Sequence, residues 1–271
     1  MSELFPTGPV DDPERRFGGI RRLYGGDSLA RLSRARVCVI GIGGVGSWTA
    51  EALARSGVGR LTLIDPDHVA ESNVNRQTHA LESTLGMAKV QAMAARIRDI
   101  HPSCRVDAWE EQVSEANVAR LLAEGYDAVV DAIDDVQAKA ALVAYGRDRG
   151  QFLVCVGGAG GRRDPLRLRA GDLAHSSHDP LLARLRALLR GRYSFPRAPG
   201  VPFGVPCVYS TEAVMRPHTG VCDERPADGR LHGLNCAGYG SSVCVTAAFG
   251  LVAAALVMER LQGHSSGYAA Q

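Results

Sequence analysis

Apolar and polar positions follow two rhythms along this chain, and the switch between them recurs through residues 36–161. Short apolar runs at 37–40, 61–64, 104–109, 126–131 and 152–156 have the length and bounding residues of strands. Between them lie segments of helical period. One leads from a glycine turn towards residue 61, one covers 86–100, one 115–124 and one 136–149. In the second, Met87, Val90, Met93, Ala94 and Ile97 form a single apolar face. Strand alternating with helix predicts an α/β, Rossmann-like, mostly parallel sheet with helices on both faces.

Beyond Arg162 the rhythm changes to a smaller C-terminal α+β part. An edge strand is expected over 166–169, a helix over 179–190, a Pro- and Gly-rich mobile stretch over 196–206 and a strand over 207–212. A polar, turn-rich segment follows at 216–235, then an apolar run at 243–258. That run is shorter than the ~20 residues of a bilayer span. Its Ala, Gly and Thr suit close packing, so a buried helix at the core or a dimer interface is expected, with membrane contact the lesser reading. At the other end, residues 1–14 read as a loose polar arm and 27–33 as a short helix.

Composition narrows the class. With 45% hydrophobic and 22% charged residues among 271, the chain can fill a globular core. A net charge of +2 does not argue for nucleic acid, since phosphate binding needs local clusters of positive charge. The basic residues are nearly all arginine; Lys89 and Lys139 are the only lysines. Seven cysteines form no C-x-x-C pair and no apolar leader core opens the sequence, which predicts free thiols in a cytoplasmic setting and no structural zinc.

The chemistry begins at the end of the first strand. Gly41, Gly43 and Gly46 have the G-x-G-x-x-G spacing, Gly44 lies inside it, and Asp65 ends the next strand. Glycines let the backbone turn tightly against phosphates, the helix start that follows favours an anion, and an acidic residue at the second strand end accepts ribose hydroxyls. A polar stretch with Asp67, Asn73, Asn75, Arg76 and Gln77 follows that strand end, where open α/β sheets place ligands. Lys89 sits in the first turn of a helix, where it opposes the macrodipole and suggests an anionic partner. Asp131, Asp134 and Asp135 crowd another strand end; such a cluster beside phosphates commonly holds Mg²⁺, and Asp135 also suits a helix cap. Arg184, Arg186, Arg190, Arg192 and Arg197, with Tyr193 and Phe195 and no acid among them, read either as an RNA footprint or as a solvated face.

Taken in order, Gly41–Gly46, Asp65-Pro66-Asp67, Asn73-Val74-Asn75-Arg76-Gln77, Gly86-Met87-Ala88-Lys89 and Asp131-Ala132-Ile133-Asp134 resemble the ubiquitin-activating-type adenylating enzymes, the MoeB/ThiF-like superfamily. Arg16-Phe17-Gly18-Gly19, the Gly157–Gly161 run, Asp179-Pro180-Leu181, Cys207–Glu212 and the turn at Cys236 resemble its tRNA-dehydrating branch. The resemblance implies a homodimer that uses ATP and Mg²⁺ to adenylate the threonine carboxylate of N6-threonylcarbamoyladenosine, at position 37 of tRNA. Cyclisation then releases AMP; pyrophosphate leaves in the first step. It implies that the glycine turn cradles phosphates, Asp65 holds ribose, Arg76 and Lys89 neutralise phosphates, Asp134 holds Mg²⁺, and Asn73 and Gln77 support them. Arg16 or Arg22 would cross from a partner subunit, and some relatives work with a sulfur-relay protein. The corresponding division is residues 1–35 as arm and helix, 36–161 as ATP-binding core, and 162–271 as substrate-facing and dimerisation part of the same domain.

Two other functions fit parts of this pattern. Activation of a ubiquitin-like or sulfur-carrier C-terminus uses the same ATP site, but the chain shows no rhodanese-like extension, and the arginine run tilts towards RNA. A non-catalytic nucleotide sensor, redox or NAD-linked, has no need of Arg76, Lys89 and Asp134 beside the phosphates.

Overall fold

The computed structural model describes residues 12–215 and 239–263. Cys236 and the turn-rich segment at 216–235 lie outside the described residues. Seven strands form one sheet in the order β3-β2-β1-β4-β5-β7-β6. β1 (Arg36–Ile40), β2 (Arg60–Ile64), β3 (Arg105–Trp109), β4 (Ala128–Asp131), β5 (Leu153–Val156) and β7 (Pro206–Ser210) pair in parallel, and β6 (Leu168–Asp172) runs antiparallel at the edge. β1, β2, β4 and β5 are apolar on both faces because both are covered, one by a cluster around Leu53, Met93 and Phe249, the other by one around Leu142, Leu185 and Phe203. Among the described residues the C-terminal part therefore makes no sheet of its own: two of its strands extend the first.

Strand order reverses between β1 and β4. In open α/β sheets the crevice at such a reversal, outside the carboxyl ends of the strands, is where ligands bind. Helices α3 (Gly46–Arg55), α4 (Lys89–Ile100) and α6 (Val136–Arg149) begin at that end of the sheet.

Four expectations need correction. The N-terminal region is not all loose arm, since α1 (Pro13–Tyr24) starts at Pro13 under an Asp12 cap and buries Phe17 edge-on against His101. The helix expected over 115–124 shrinks to α5 (Val118–Leu121), the flanking residues being turns. The 196–206 stretch is pinned: the Asp172 carboxylate accepts from the amides of Phe203 at 2.8 Å, Gly204 at 2.7 Å and Val205 at 3.1 Å, and Phe203 and Val205 are buried. The edge strand starts two residues late, because Leu166 is 86% exposed in a 3₁₀ turn and does not face the core.

The terminal helix Val243–Leu261 is longer than its apolar run and has the length and hydropathy of a membrane span. Half of that span is buried inside the molecule, as expected of a core helix. It lies on α3 at Gly250, where a Cβ would come within 2.5 Å of the Val45 carbonyl oxygen, and Thr49 Oγ1 donates to the Gly250 carbonyl at 3.2 Å. This close crossing backs the helix that follows the glycine turn.

Candidate active site

The glycine turn is held by what its residues lack. Gly41 has φ +86°, and a Cβ there would lie 2.9 Å from the carbonyl carbon and oxygen of Ala132. A Cβ on Gly46 would fall 1.7 Å from the Gly41 carbonyl oxygen, an impossible overlap. A Cβ on Gly43, by contrast, would meet nothing within 4 Å. The turn is thus closed on the protein side and open at Gly43, and no side chain caps the start of α3. A turn of this shape can cradle a phosphate group.

Around it the structure assembles most of the expected residues. Asp65 is buried, and its carboxylate accepts from the Ile42 amide at 2.6 Å and the Asp67 amide at 2.9 Å, tying β2 to the glycine turn. Burial pushes its pKa up, against the charge of Lys89 and the two amides. Lys89, 6% exposed, pairs with Asp67 at 2.6 Å and stands 3.9 Å from Asp65, so the anion its position suggested is first of all Asp67. Arg76 lies across the turn, its Cγ 3.1 Å from where a Gly44 Cβ would be. Its guanidinium donates to the Ser72 carbonyl at 2.8 Å and Asn75 Oδ1 at 2.9 Å, and it forms no ion pair among the described residues. Burial draws its pKa down, as for a cation held ready without a counter-charge. Asn75 also donates to the Ser241 carbonyl at 3.1 Å, and Trp48 Nε1 holds the Arg76 carbonyl at 2.9 Å. Asn73 acts as support, accepting from the Ala70 amide at 3.1 Å.

The aspartates at the end of β4 part company. Asp134 is exposed on the loop beside Gly41, and Asp135 caps α6 by accepting from the Ala138 amide at 2.8 Å. Asp131 is not available to a ligand: it is fully buried and paired with Lys139 at 2.9 Å. Burial pushes its pKa up; burial also opposes the charge of Lys139, but Asp131 lifts that lysine above its usual range.

Arg16 and Arg22 are exposed on α1, away from the turn of their own chain. Arg16 donates to the Ile100 carbonyl at 2.9 Å, at the end of α4 opposite to Lys89 and about 16 Å from it at 1.5 Å per residue. The arginine run is largely engaged. Arg186 is half-buried against Ser176, Arg190 stacks on Phe203 at 5.0 Å, Arg192 pairs with Glu115 at 2.8 Å, and Phe195 is core. Arg184 and Arg197 are exposed, with Arg197 donating to the Arg190 carbonyl at 3.2 Å. Arg184, Arg192 and Arg197 thus remain at the surface, and of the two aromatics Tyr193 is half-buried and Phe195 internal.

Residue type alone did not mark Arg162 as internal. Its side chain is fully buried and donates to the carbonyls of Gly158, Ser210, Glu212 and His178 and to Asp179 at 3.3 Å, which joins the Gly157–Gly161 loop, the end of β7 and the cap of α7 (Pro180–Arg192). Its sequence signal was weak: an arginine directly after a glycine run.

Gln77 and His79 lie behind Arg76, 5% and 1% exposed, and Gln77 Oε1 and both His79 ring nitrogens find no hydrogen-bond partner among the described residues. Burial, with the charges of Lys89 and Arg96, pushes the imidazole down from 6.5 to about 4. Below pH 6.5 the unfolded chain takes up a proton that the folded one refuses. Stability should therefore be full above 6.5 and fall as pH drops towards 4, by on the order of 3 kcal/mol. Urea midpoints across that range should show the fall, and His79→Leu should flatten it.

The fold and this turn have the form of a nucleotide site in an α/β protein, with cations and an exposed carboxylate around the turn. The chain belongs to the ThiF family, whose profile matches residues 19–270. It is 44% identical over 254 residues to the tRNA threonylcarbamoyladenosine dehydratase of Haemophilus influenzae, covering 93% of this chain and 95% of that protein. The Escherichia coli enzyme of the same name is 45% identical over 255 residues, with the same coverage of both chains. The crystal structure of that E. coli enzyme in complex with ATP superposes with a TM-score of 0.83, covering 92% of this chain and 95% of the other at 44% identity. Its complex with AMP gives 0.84, covering 95% and 98% at 43% identity.

Proposed function

We propose that this chain is an ATP-dependent dehydratase acting on tRNA. It adenylates the threonine carboxylate of N6-threonylcarbamoyladenosine and lets the carbamoyl group close on the activated carbonyl, releasing AMP. The observation that carries this reading is the placement of Arg76 against Gly44, of Lys89 beside Asp65 and Asp67, and of Asp134 next in the chain to the residues that wall Gly41, all at the β1/β4 reversal. A dinucleotide site does not call for that set.

The residues fit the nucleotide. Gly43 leaves open space in which phosphates would approach backbone, and Asp65, which would take the ribose hydroxyls, is fixed by two amides. The exposed Asp134 carboxylate, after the residues that wall Gly41, also fits Mg²⁺ of the kind that binds through one or two carboxylates, substrate phosphates and water. Asp134 would hold that ion, which supplies charge neutralisation on the triphosphate. Arg76 and Lys89 lower the repulsion between the attacking carboxylate oxygen and the phosphate oxygens as the bond to the α-phosphorus forms and pyrophosphate leaves. No protein nucleophile is needed: the carbamoyl group and activated carbonyl share one molecule, with high effective molarity. Of the described cysteines, Cys38, Cys104, Cys155 and Cys207 are buried, and burial pushes the Cys104 thiol up to about 12.

The working unit is a cytoplasmic homodimer. Val243 and Leu251 leave an apolar edge exposed on the terminal helix, and Arg16, held at the end of α4 opposite to Lys89, would serve the nucleotide of a second copy. ATP–pyrophosphate exchange tests the reading: it should require tRNA carrying the threonylcarbamoyl group and be absent with unmodified tRNA. Exchange driven instead by a carrier-protein C-terminus would overturn it.

A further inference from the structure

Of the 31 lysines and arginines in this chain only two are lysine. Both are buried at the carboxyl end of the sheet. Lys89 belongs to the phosphate site. Lys139, in the first turns of α6, touches no position a substrate could reach, yet its ammonium is fully committed. Nζ lies 2.9 Å from Asp131 Oδ1 and donates to the Asp131 carbonyl at 3.1 Å and the Ile133 carbonyl at 3.0 Å. Three donors meet three acceptors, all on residues 131–133. The planar fork of an arginine does not converge on a point in this way.

Those three residues are the wall of the glycine turn. The Ala132 amide donates to the Ile40 carbonyl at 2.8 Å, and the Ala132 carbonyl stands where a Cβ on Gly41 would be. Asp134 follows directly. A buried ion pair gives little net stability over a well-packed apolar pair, so stability alone does not account for a charge here. We propose that Lys139 is a positioning residue for nucleotide activation: by clamping residues 131–133 it sets the wall against Gly41 and aims Asp134 at the phosphate-bound metal. The proposal rests on the ATP reading above.

The presence of only two lysines makes the test direct. With ¹³C,¹⁵N-lysine, the side chains of Lys89 and Lys139 give two sets of signals, assigned by Lys89→Arg. On adding Mg²⁺ with a non-hydrolysable ATP analogue to the intact wild-type protein, both should shift, and Asp134→Asn should abolish the metal-dependent part of the Lys139 shift. A shift in Lys89 with none in Lys139 overturns this proposal alone; no shift in either overturns the ATP reading with it.

The second arm uses variants. Lys139→Met leaves a lone buried carboxylate and is expected to unfold, so it is combined with Asp131→Asn. That double variant should melt cooperatively, yet bind Mn²⁺ with the ATP analogue, read by electron paramagnetic resonance, at least about tenfold more weakly than wild type. AMP formation should fall in kcat and need more Mg²⁺, while KM for tRNA stays unchanged. A folded double variant with wild-type Mn²⁺ affinity and kcat would make the pair merely structural.

Discussion

Arg76→Ala and Asp134→Ala should each abolish modified-tRNA-dependent pyrophosphate release while leaving a native melt. Arg76 forms no ion pair among the described residues and is held by one carbonyl, one amide oxygen and packing on Gly44, so its removal leaves no carboxylate stranded. Losing a preorganised charge at a developing anion typically costs 10²–10³ in rate, about 3–4 kcal/mol, and two negatively charged reactants put this case at the upper end. Asp134 is exposed, so Asp134→Ala should cost the fold within about 0.5 kcal/mol. Its signature is a raised Mg²⁺ requirement before activity disappears. Normal pyrophosphate release from either variant would remove that residue from the site.

The second large effect separates two glycines of one motif. Gly46→Ala forces a methyl to within 1.7 Å of the Gly41 carbonyl oxygen, so either the turn or the start of α3 must move. The expected cost is of order 4 kcal/mol or more, with ATP binding lost as well. Gly43→Ala should fold normally, because its Cβ meets nothing within 4 Å, and should still weaken ATP at least tenfold if phosphates occupy that space. Calorimetry of ATP binding beside thermal melts distinguishes the two. Equal behaviour of both variants would contradict the cradle geometry.

What the sequence made legible was local. The glycine spacing, Asp65 at the next strand end and Lys89 at a helix start are features of one short segment each, and all three are found at the strand-order reversal. What it hid were partnerships across segments. Asp131 looked like one of three site carboxylates because Lys139 arrives from the next helix, and the arginine run looked unpaired because Glu115 comes from a distant turn. Residues 196–206 looked mobile from their Pro and Gly content; the Asp172 carboxylate that holds them belongs to the edge strand. Arg162, whose five polar contacts run to Gly158, His178, Asp179, Ser210 and Glu212, is the extreme case: its residue type predicts surface and its partners put it in the core.

The likeness to the E. coli and H. influenzae dehydratases spans over nine-tenths of each chain and is therefore not confined to the glycine turn and its neighbouring strands. The most direct measurement of its central claim is the mass of the modified nucleoside. tRNA carrying N6-threonylcarbamoyladenosine, incubated with the protein, ATP and Mg²⁺, then digested to nucleosides, should yield that nucleoside lighter by one water, with AMP formed in equal amount. An unchanged mass from folded protein that binds ATP would contradict the account.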